Sequence, residues 1–151
     1  MQIKTADLND QRVIDLLESH FSYMQAISPP GSGHAFSIDK IKQSALKLWC
    51  AYDDDIILGC GGLKEITPSH GEIKSMCTHP NHLRKGIGSV VLDKLIQESM
   101  TLGYKQLSLE TGSSTLFAPA QNFYANCGFE VCGPFGDYCE DIHSVFMTRI
   151  L

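Results

Sequence analysis

The sequence predicts an α+β fold of mixed α/β character, with a single domain over residues 1–151. Two local patterns predict it. Residues 71–111 run through a strand, a turn with two glycines, a helix and a second strand, and an intervening helix makes two strands parallel neighbours. Residues 46–66 contain two apolar stretches separated by an Asp-Asp-Asp turn, which is typical of an antiparallel hairpin. We therefore expect one sheet that contains both kinds of strand pair.

The spacing of apolar residues predicts the elements in chain order. Alternation predicts a strand, and recurrence every three or four residues predicts a helix. A cluster of Pro, Gly and Ser at residues 28–34 predicts a loop. The predicted strands span residues 2–5, 46–52, 56–66, 71–78, 105–111, 129–132 and 144–151. The predicted helices span residues 8–21 (capped by Asp7 or Asn9), a short segment from Ser37 or Asp39 to Gln43, 87–102 and 120–126.

Strand 71–78 leads into the glycine turn, so its faces decide which side chains reach that turn. Successive side chains of a strand point to opposite faces. One face is predicted to hold Glu72, Lys74, Met76 and Thr78, and the other Ile73, Ser75 and Cys77. Three glycines in the preceding strand, residues 56–66, are attributed to close packing.

The turn after this strand has the features of a phosphate or pyrophosphate site. Residues 84–89 place two basic side chains and two glycines at the start of a helix, where backbone amides lack partners and the helix dipole is positive. The turn lacks the P-loop pattern, and Val91 stands where a dinucleotide fingerprint needs its third glycine. The alternative, that Gly86 and Gly88 merely open a helix, stays open at this point.

Two motifs resemble the GNAT family of N-acetyltransferases. Residues 83–88 (LRKGIG) are similar to its pyrophosphate motif, [QR]-x-x-G-x-[GA], with Leu83 in place of the usual Gln or Arg. Residues 123–129 (FYANCGF) are similar to its F-Y-x-x-x-G-F segment. The resemblance is to a small, single-domain bacterial-type member. It implies the acyl-CoA N-acyltransferase fold, a mostly antiparallel mixed sheet whose central parallel pair splays to hold CoA, flanked by about four helices.

The resemblance also implies the reaction, which is transfer of an acetyl group from acetyl-CoA to a primary amine by direct attack in a ternary complex. The backbone of the strand before the turn would hold the pantetheine arm, and the turn would hold the pyrophosphate. The cosubstrate would be acetyl-CoA, with no metal. The residues expected to bind it are Met76, Cys77, Thr78, Arg84, Lys85, Gly86, Ile87, Gly88, Ser89 and Asn122.

Three residues are catalytic candidates by the same resemblance. Tyr124 matches the family tyrosine that protonates the leaving thiolate, and the alternative is a plain core aromatic. Glu72 stands at the offset of a family general base, and Glu110 ends the neighbouring strand at the same cleft. A carboxylate is a poor base unless burial raises its pKa or a water relays the proton. The choice between Glu72, Glu110 and a water stays open.

The acceptor pocket is expected to be formed by loops, which carry specificity. Its candidate residues are Pro30, His34, Glu110, Phe135 and Tyr138. The acceptor would be a small-molecule or peptide amine that fold and motifs do not name. Two other functions remain open, a non-catalytic acyl-CoA-binding or sensor module on the same fold and a binder of a different phosphate ligand.

The composition limits which classes of partner we expect for this protein. The net charge of −5 offers no basic footprint for nucleic acid. No apolar run is long enough to span a membrane and no leader is visible, so we expect a cytoplasmic protein without a membrane partner. Six cysteines without a CxxC pair or a metal-like cluster are expected to be reduced thiols. A homodimer stays open.

Overall fold

The computed structural model describes residues 1–151, which form one seven-stranded sheet with helices packed against it. Two short 3-10 helices, Pro80–His82 and Thr115–Phe117, precede the α-helices that begin at Ile87 and Ala118. The elements in chain order are β1 (Gln2–Thr5), α1 (Gln11–Ile27), α2 (Ile38–Gln43), β2 (Lys47–Asp53), β3 (Ile56–Thr67), β4 (His70–Thr78), α3 (Ile87–Thr101), β5 (Gln106–Gly112), α4 (Ala118–Asn126), β6 (Glu130–Cys132) and β7 (Ser144–Ile150).

The strand order confirms the predicted mixed sheet. The order is β1-β2-β3-β4-β5-β7-β6, and every neighbouring pair is antiparallel except β4 and β5. The parallel pair is short, because its register runs only from His70 opposite Gln106 to Glu72 opposite Ser108. Beyond Glu72 the two strands separate. The backbone of the second half of β4 is therefore left without a partner on the β5 side.

Two apolar clusters pack against the sheet and hold this split in place. The larger one joins the sheet to α3 and α4 through side chains such as Val91, Leu95 and Tyr124. The smaller one joins it to α1 and α2 through Val13 and Ile41. Each helix buries one apolar stripe against the strands, as amphipathic helices do. The open end of the split lies between these two groups of helices.

Helix α1 differs from its predicted bounds of 8–21. It begins at Gln11 because Asp10, not Asp7 or Asn9, is the N-cap, and the Asp10 carboxylate accepts a hydrogen bond from the Arg12 amide. Asp7 is engaged one turn earlier, where its carboxylate accepts from the Asn9 amide. The helix continues to Ile27. Its last turns bring residues to the split that the shorter predicted helix would not have reached.

The predicted alternation of β4 is wrong after Lys74. Ser75 adopts a left-handed conformation with φ of 54°, and the register with β3 shifts between Cys60 and Gly62. Such a bulge adds a residue to one strand and reverses which face its later side chains occupy. Met76 therefore packs with the α3 cluster rather than sharing a face with Lys74, which contacts Phe36 beside α2.

Gly61 is the residue on β3 that makes room for this bulge. A Cβ added there would lie 2.8 Å from the Met76 Sδ and 2.9 Å from Leu95 and Val91. The glycines of β3 thus serve close packing, as the sequence predicted. The bulge turns Met76 towards α3 at the point where β4 and β5 have already separated.

Candidate active site

A cavity of about 180 Å³ opens where β4 and β5 separate. Met76 and Lys74 line it from β4, Glu110 from β5, Tyr124 from α4 and His34 from the loop between α1 and α2. The structure thus brings four residues predicted for the site, Met76, Glu110, Tyr124 and His34, to one small space. Ligand sites are typically such concave spaces with a few convergent polar groups.

Tyr124 presents a protonated hydroxyl in apolar surroundings. Its side chain is 7% exposed. The ring is held by packing, with centroids 5.1 Å from Phe123 and 5.6 Å from Phe129. Burial raises the pKa of the Tyr124 phenol far above its usual range, because the phenolate would lose its hydration. The Tyr124 phenol therefore stays protonated, as a proton donor must be.

Glu110 is suited to the complementary role, because burial makes its carboxylate a better proton acceptor. Burial raises the pKa of Glu110, and this effect outweighs the attraction of His34 and Lys74. A carboxyl whose pKa is raised is more basic when ionised, which is what a general base at neutral pH requires. Its side chain lines the same cavity as Tyr124.

Glu72 is buried in a hydrogen-bond network instead. It is 2% exposed, and its Oε2 accepts a hydrogen bond of 2.6 Å from the Tyr138 hydroxyl. The Lys74 Nζ lies 3.4 Å from the same oxygen and donates to the Tyr138 hydroxyl at 3.0 Å and to the His34 carbonyl at 3.3 Å. The network ties the loops that contain His34 and Tyr138 to β4.

Burial shifts the pKa values of two members of this network. Lys74 is 8% exposed, and desolvation lowers the pKa of its ammonium although Glu72 attracts it. Burial also raises the pKa of Tyr138, with the nearby Glu72 charge acting in the same direction. Tyr138 therefore stays a hydrogen-bond donor. The Glu72 carboxylate accepts from both Tyr138 and Lys74.

The turn before α3 leads into a helix N-terminus that has no side-chain cap. Gly86 is the N-cap in a left-handed conformation with φ of 79°, and no side chain caps the first amides. Arg84 is also left-handed, with φ of 59°. Both basic side chains are exposed, and only Lys85 is engaged, donating to the Asn81 carbonyl at 3.3 Å. Free amides, a positive dipole and two cations fit a pyrophosphate.

Gly88 and the unpaired half of β4 complete the fit for CoA. A Cβ at Gly88 would make ordinary van der Waals contacts, 3.4 Å from Phe123 and 3.9 Å from the Thr78 hydroxyl, so α3, α4 and β4 approach one another at this residue. The backbone of Met76, Cys77 and Thr78 has no strand partner on the β5 side. Unpaired strand amides suit an extended arm such as pantetheine. The chain's own residues therefore fit this cosubstrate.

Some predicted residues lie outside the small cavity. Pro30 is exposed and does not line it, whereas Pro29 beside it does. Asn122 is on the exposed face of α4. Phe135 and Tyr138 line a second, larger cavity of about 800 Å³, together with His34, Glu72 and Lys74.

Sequence reasoning missed contributions from α1 and from β3. His20 and Met24 line the small cavity from α1, and Met24 falls beyond the predicted end of that helix. Burial lowers the pKa of His20, which favours its neutral form. Lys40 and Lys64 line the larger cavity. The available signal for Lys64 was a charged residue directly after the buried run of residues 57–63 in β3.

The cysteines are all free thiols. Cys50 and Cys60 are buried, and Cys60 lies opposite Cys77 with 3.4 Å between the two sulfur atoms. Cys139 is exposed. No group of three or more His, Cys, Asp or Glu side chains is arranged to hold a metal ion. None of the helices has the length and hydropathy to cross a membrane.

The fold and this site define an acyl-CoA N-acyltransferase, and sequence comparison agrees. The chain belongs to the acetyltransferase (GNAT) family, whose sequence model matches residues 11–129. It is an acetyl-CoA-dependent N-acetyltransferase.

Relatives of the chain are similar over their whole lengths. An uncharacterized N-acetyltransferase of Bacillus subtilis, YsnE, is 46% identical over 151 residues, which is 100% of both chains. A second, YedL of Escherichia coli, is 38% identical over 99% of this chain and 94% of its own. The PaiA N-acetyltransferase of Thermoplasma acidophilum, solved in complex with coenzyme A, superposes with a TM-score of 0.75 and 18% identity, covering 100% of both chains.

Proposed function

We propose that the chain transfers the acetyl group of acetyl-CoA to a primary amine of a small molecule or peptide, by direct attack in a ternary complex. The observation that carries this proposal is the meeting of a half-buried carboxylate and a buried phenol at one cavity, where β4 and β5 separate. The carboxylate can accept a proton, and the phenol stays protonated until it donates one.

The cosubstrate is held by backbone groups more than by side chains. The amides at the start of α3, with Arg84 and Lys85, bind the pyrophosphate, and the unpaired backbone of Met76 to Thr78 binds the pantetheine. The wider set predicted from sequence, which includes Ile87, Ser89 and Asn122, stays a prediction. The bound thioester supplies an activated acetyl group. A family neighbour solved with coenzyme A supports this assignment.

Glu110 is the general base in this proposal. It lines the cavity beside Tyr124, and burial raises its pKa. Glu72 lies outside that cavity, and its carboxylate is engaged by Tyr138 and Lys74. A base must reach the proton that it removes, directly or through one water. Glu72 instead positions Tyr138, and through it the loop over the acceptor pocket.

Tyr124 is the general acid. Its neutral hydroxyl donates a proton to the departing sulfur while the amine nitrogen forms its bond to the acetyl carbon and the carbon–sulfur bond breaks. Glu110 takes the proton that the amine loses. The apolar surroundings strengthen the hydrogen bond from this hydroxyl to the negative charge that develops on the sulfur, because a charge in a dry site interacts strongly with the nearest dipole.

Matched glutamine variants test the assignment of the base. We expect Glu110→Gln to lower kcat by about a hundredfold or more while the affinity for CoA stays the same. Glu72→Gln keeps a hydrogen-bond acceptor for Tyr138 and should lower kcat far less. The measurement is thiol release from acetyl-CoA over a panel of primary amines. Equal losses in both variants would contradict the assignment.

The same panel separates an enzyme from an acyl-CoA-binding module. A module would bind CoA yet release no thiol with any amine, and Tyr124→Phe would change nothing. Turnover that depends on both acetyl-CoA and an amine supports the proposed reaction.

A further inference from the structure

Three cysteines lie side by side across three neighbouring strands of the sheet. In the strand register Cys50 of β2 is opposite Cys60 of β3, and Cys60 is opposite Cys77 of β4. All three pack in the apolar cluster of α1 and α2, and the sulfur atoms of Cys60 and Cys77 are 3.4 Å apart. The proposed acetyl transfer uses none of these thiols.

Solvent reaches only one end of this row of cysteines. Cys50 and Cys60 are fully buried, whereas Cys77 is half-buried. Cys77 also lies on the half of β4 that has no partner on the β5 side. A small oxidant therefore meets the Cys77 thiol first, and the Cys60 thiol is the one in contact behind it.

Cys60 also contacts the bulge that shapes the CoA-binding strand. Its thiol donates a hydrogen bond to the Ser75 carbonyl at 3.3 Å. Ser75 is the left-handed residue after which Met76 turns towards α3. Residues other than glycine rarely hold this backbone conformation without support from their surroundings. A disulfide at Cys60 has no S–H group, so its formation removes this hydrogen bond.

We propose that Cys60 and Cys77 form a reversible oxidation site, at which a peroxide converts the two thiols into a disulfide. The Cys77 sulfur first attacks the O–O bond and becomes a sulfenic acid, and the peroxide is reduced by two electrons and leaves as water with the thiol proton. The Cys60 sulfur then attacks the Cys77 sulfur. The S–S bond forms, the S–O bond breaks, and the hydroxyl leaves as water with the Cys60 proton.

Contact makes the second step possible although Cys60 is a weak nucleophile. Hydrogen bonds with Cys50 and Cys77, followed by burial, raise the pKa of Cys60, so this thiol stays protonated. Its sulfur is nevertheless already beside that of Cys77, and a reaction between groups held together needs no encounter step. A disulfide bond measures about 2.05 Å, so the two sulfur atoms approach by about 1.4 Å from their contact of 3.4 Å.

Oxidation at this pair should weaken the binding of CoA. The new bond draws β4 towards β3 at Cys77, and the Ser75 carbonyl loses its hydrogen bond from Cys60. Both changes fall in the strand that is proposed to bind pantetheine. This effect on CoA rests on the proposed function, whereas formation of the disulfide does not. Because coupling between two sites is reciprocal, bound CoA should favour the reduced thiols by the same factor.

Peptide mapping tests the oxidation site itself. The full-length reduced protein is treated with hydrogen peroxide, and mass spectrometry without reduction identifies the linked peptides. We expect a link between Cys60 and Cys77 that dithiothreitol reverses and that is absent from Cys77→Ser and from Cys60→Ala. Cys139→Ser removes an exposed thiol outside the row and should form the link as the wild type does. A link between other cysteines, or peroxide treatment that leaves this pair unlinked, would overturn the proposal.

Calorimetric titration with CoA tests the consequence of the disulfide. The affinity of the wild type should fall by about tenfold on oxidation, within the usual range of coupling between two sites, and should return on reduction. Cys77→Ser should bind CoA equally well before and after peroxide treatment. An unchanged affinity in the linked protein would overturn the effect on CoA. A reduced protein that does not bind CoA would instead contradict the proposed function.

Discussion

Burial sets the proton chemistry of the two residues that we place at the reaction centre. Glu110 and Tyr124 both have pKa values raised chiefly by desolvation. The same physical effect makes the carboxylate more basic and keeps the phenol protonated. Opposite roles in proton transfer therefore follow from one shared environment.

Removal of the Tyr124 hydroxyl tests its role as an acid. We expect Tyr124→Phe to lower kcat by about a hundredfold, with the affinity for CoA and the stability little changed, because the ring is held by packing against Phe123 and Phe129. The measurements are thiol release and equilibrium binding of CoA. Tyr104→Phe, which alters a buried tyrosine outside both cavities, is the control. Similar kcat values for Tyr124→Phe and the control would contradict this role.

The pKa of Glu110 also predicts how stability depends on pH. A carboxyl with a raised folded-state pKa binds more protons in the native state than in the unfolded state between its unfolded value and its raised value. Its contribution to stability is therefore full below the unfolded value of 4.5 and is lost as the pH rises through the folded value. Glu110→Gln should become more stable relative to the wild type as the pH rises.

Urea unfolding across the acid and neutral range measures this difference in the free energy of unfolding. Glu18→Gln, on the exposed face of α1, is the control and should run parallel to the wild type. A parallel curve for Glu110→Gln would mean that burial does not shift its pKa.

At the residue scale, the sequence identified side chains whose positions follow from a motif. Tyr124 and Glu110 lie at the ends of predictable elements, and both reach the cavity. The convergence of Lys40, Lys64 and Lys74 on Phe36 depends on four segments that are distant in sequence, and no local pattern predicts it. Pro30 was predicted for the pocket, but its neighbour Pro29 lines the cavity instead. Loop conformation has no periodicity from which the sequence could distinguish the two residues.

At the scale of elements, the separation of β4 and β5 creates the site. Their pairing ends at Glu72, and the bulge at Ser75 then reorients the rest of β4. The helix that follows presents its free N-terminus at the end of this strand. The unpaired edge of β4 is thus followed directly by the N-terminus of α3, and both have unsatisfied backbone groups. An extended ligand with a charged end satisfies both.

Two glycines of α3 provide a matched test of the turn. Gly86 and Gly103 flank the helix with φ of 79° and 86°, and a Cβ would meet nothing within 4 Å at either. Alanine in this conformation costs about 1–2 kcal/mol, so both variants should lose similar stability. Only Gly86→Ala should weaken CoA binding, by about tenfold or about 1.4 kcal/mol, because it shifts the amides at the helix start.

Isothermal titration with CoA and urea unfolding measure the two effects. Equal CoA affinities in Gly86→Ala and Gly103→Ala would show that the turn does not bind the cosubstrate.

The elements that the sequence predicted well are those with strong local periodicity. The βαβ segment and the hairpin before it have long apolar patterns, and the structure confirms both. The bulge was missed because Ser75 carries no turn signal, and the glycine that makes room for it, Gly61, lies on the neighbouring strand. The start of α1 was missed because Asp7, Asn9 and Asp10 are all good caps, and only the hydrogen bonds distinguish them.

At the scale of the whole molecule, the sheet divides the protein into two sides that meet at the split. The α3 and α4 cluster supports the turn and Tyr124. The α1 and α2 cluster supports Phe36, and the ammonium groups of Lys40, Lys64 and Lys74 lie over the Phe36 ring. Cosubstrate and acceptor would thus approach from opposite sides and meet between β4 and β5.

A titration of the melting temperature with acetyl-CoA, CoA, ADP and NAD tests most directly whether the split and turn form a CoA site. A ligand that binds the native state stabilises it by about 2.7 kcal/mol at a free concentration of about 100 Kd, or about 5–10 °C in Tm for a domain of this size. We expect acetyl-CoA and CoA to give rises of this order that grow with ligand concentration, and NAD to give none. The absence of a shift with CoA, or an equal shift with NAD, would contradict the assignment of the turn and of the cavity beside it.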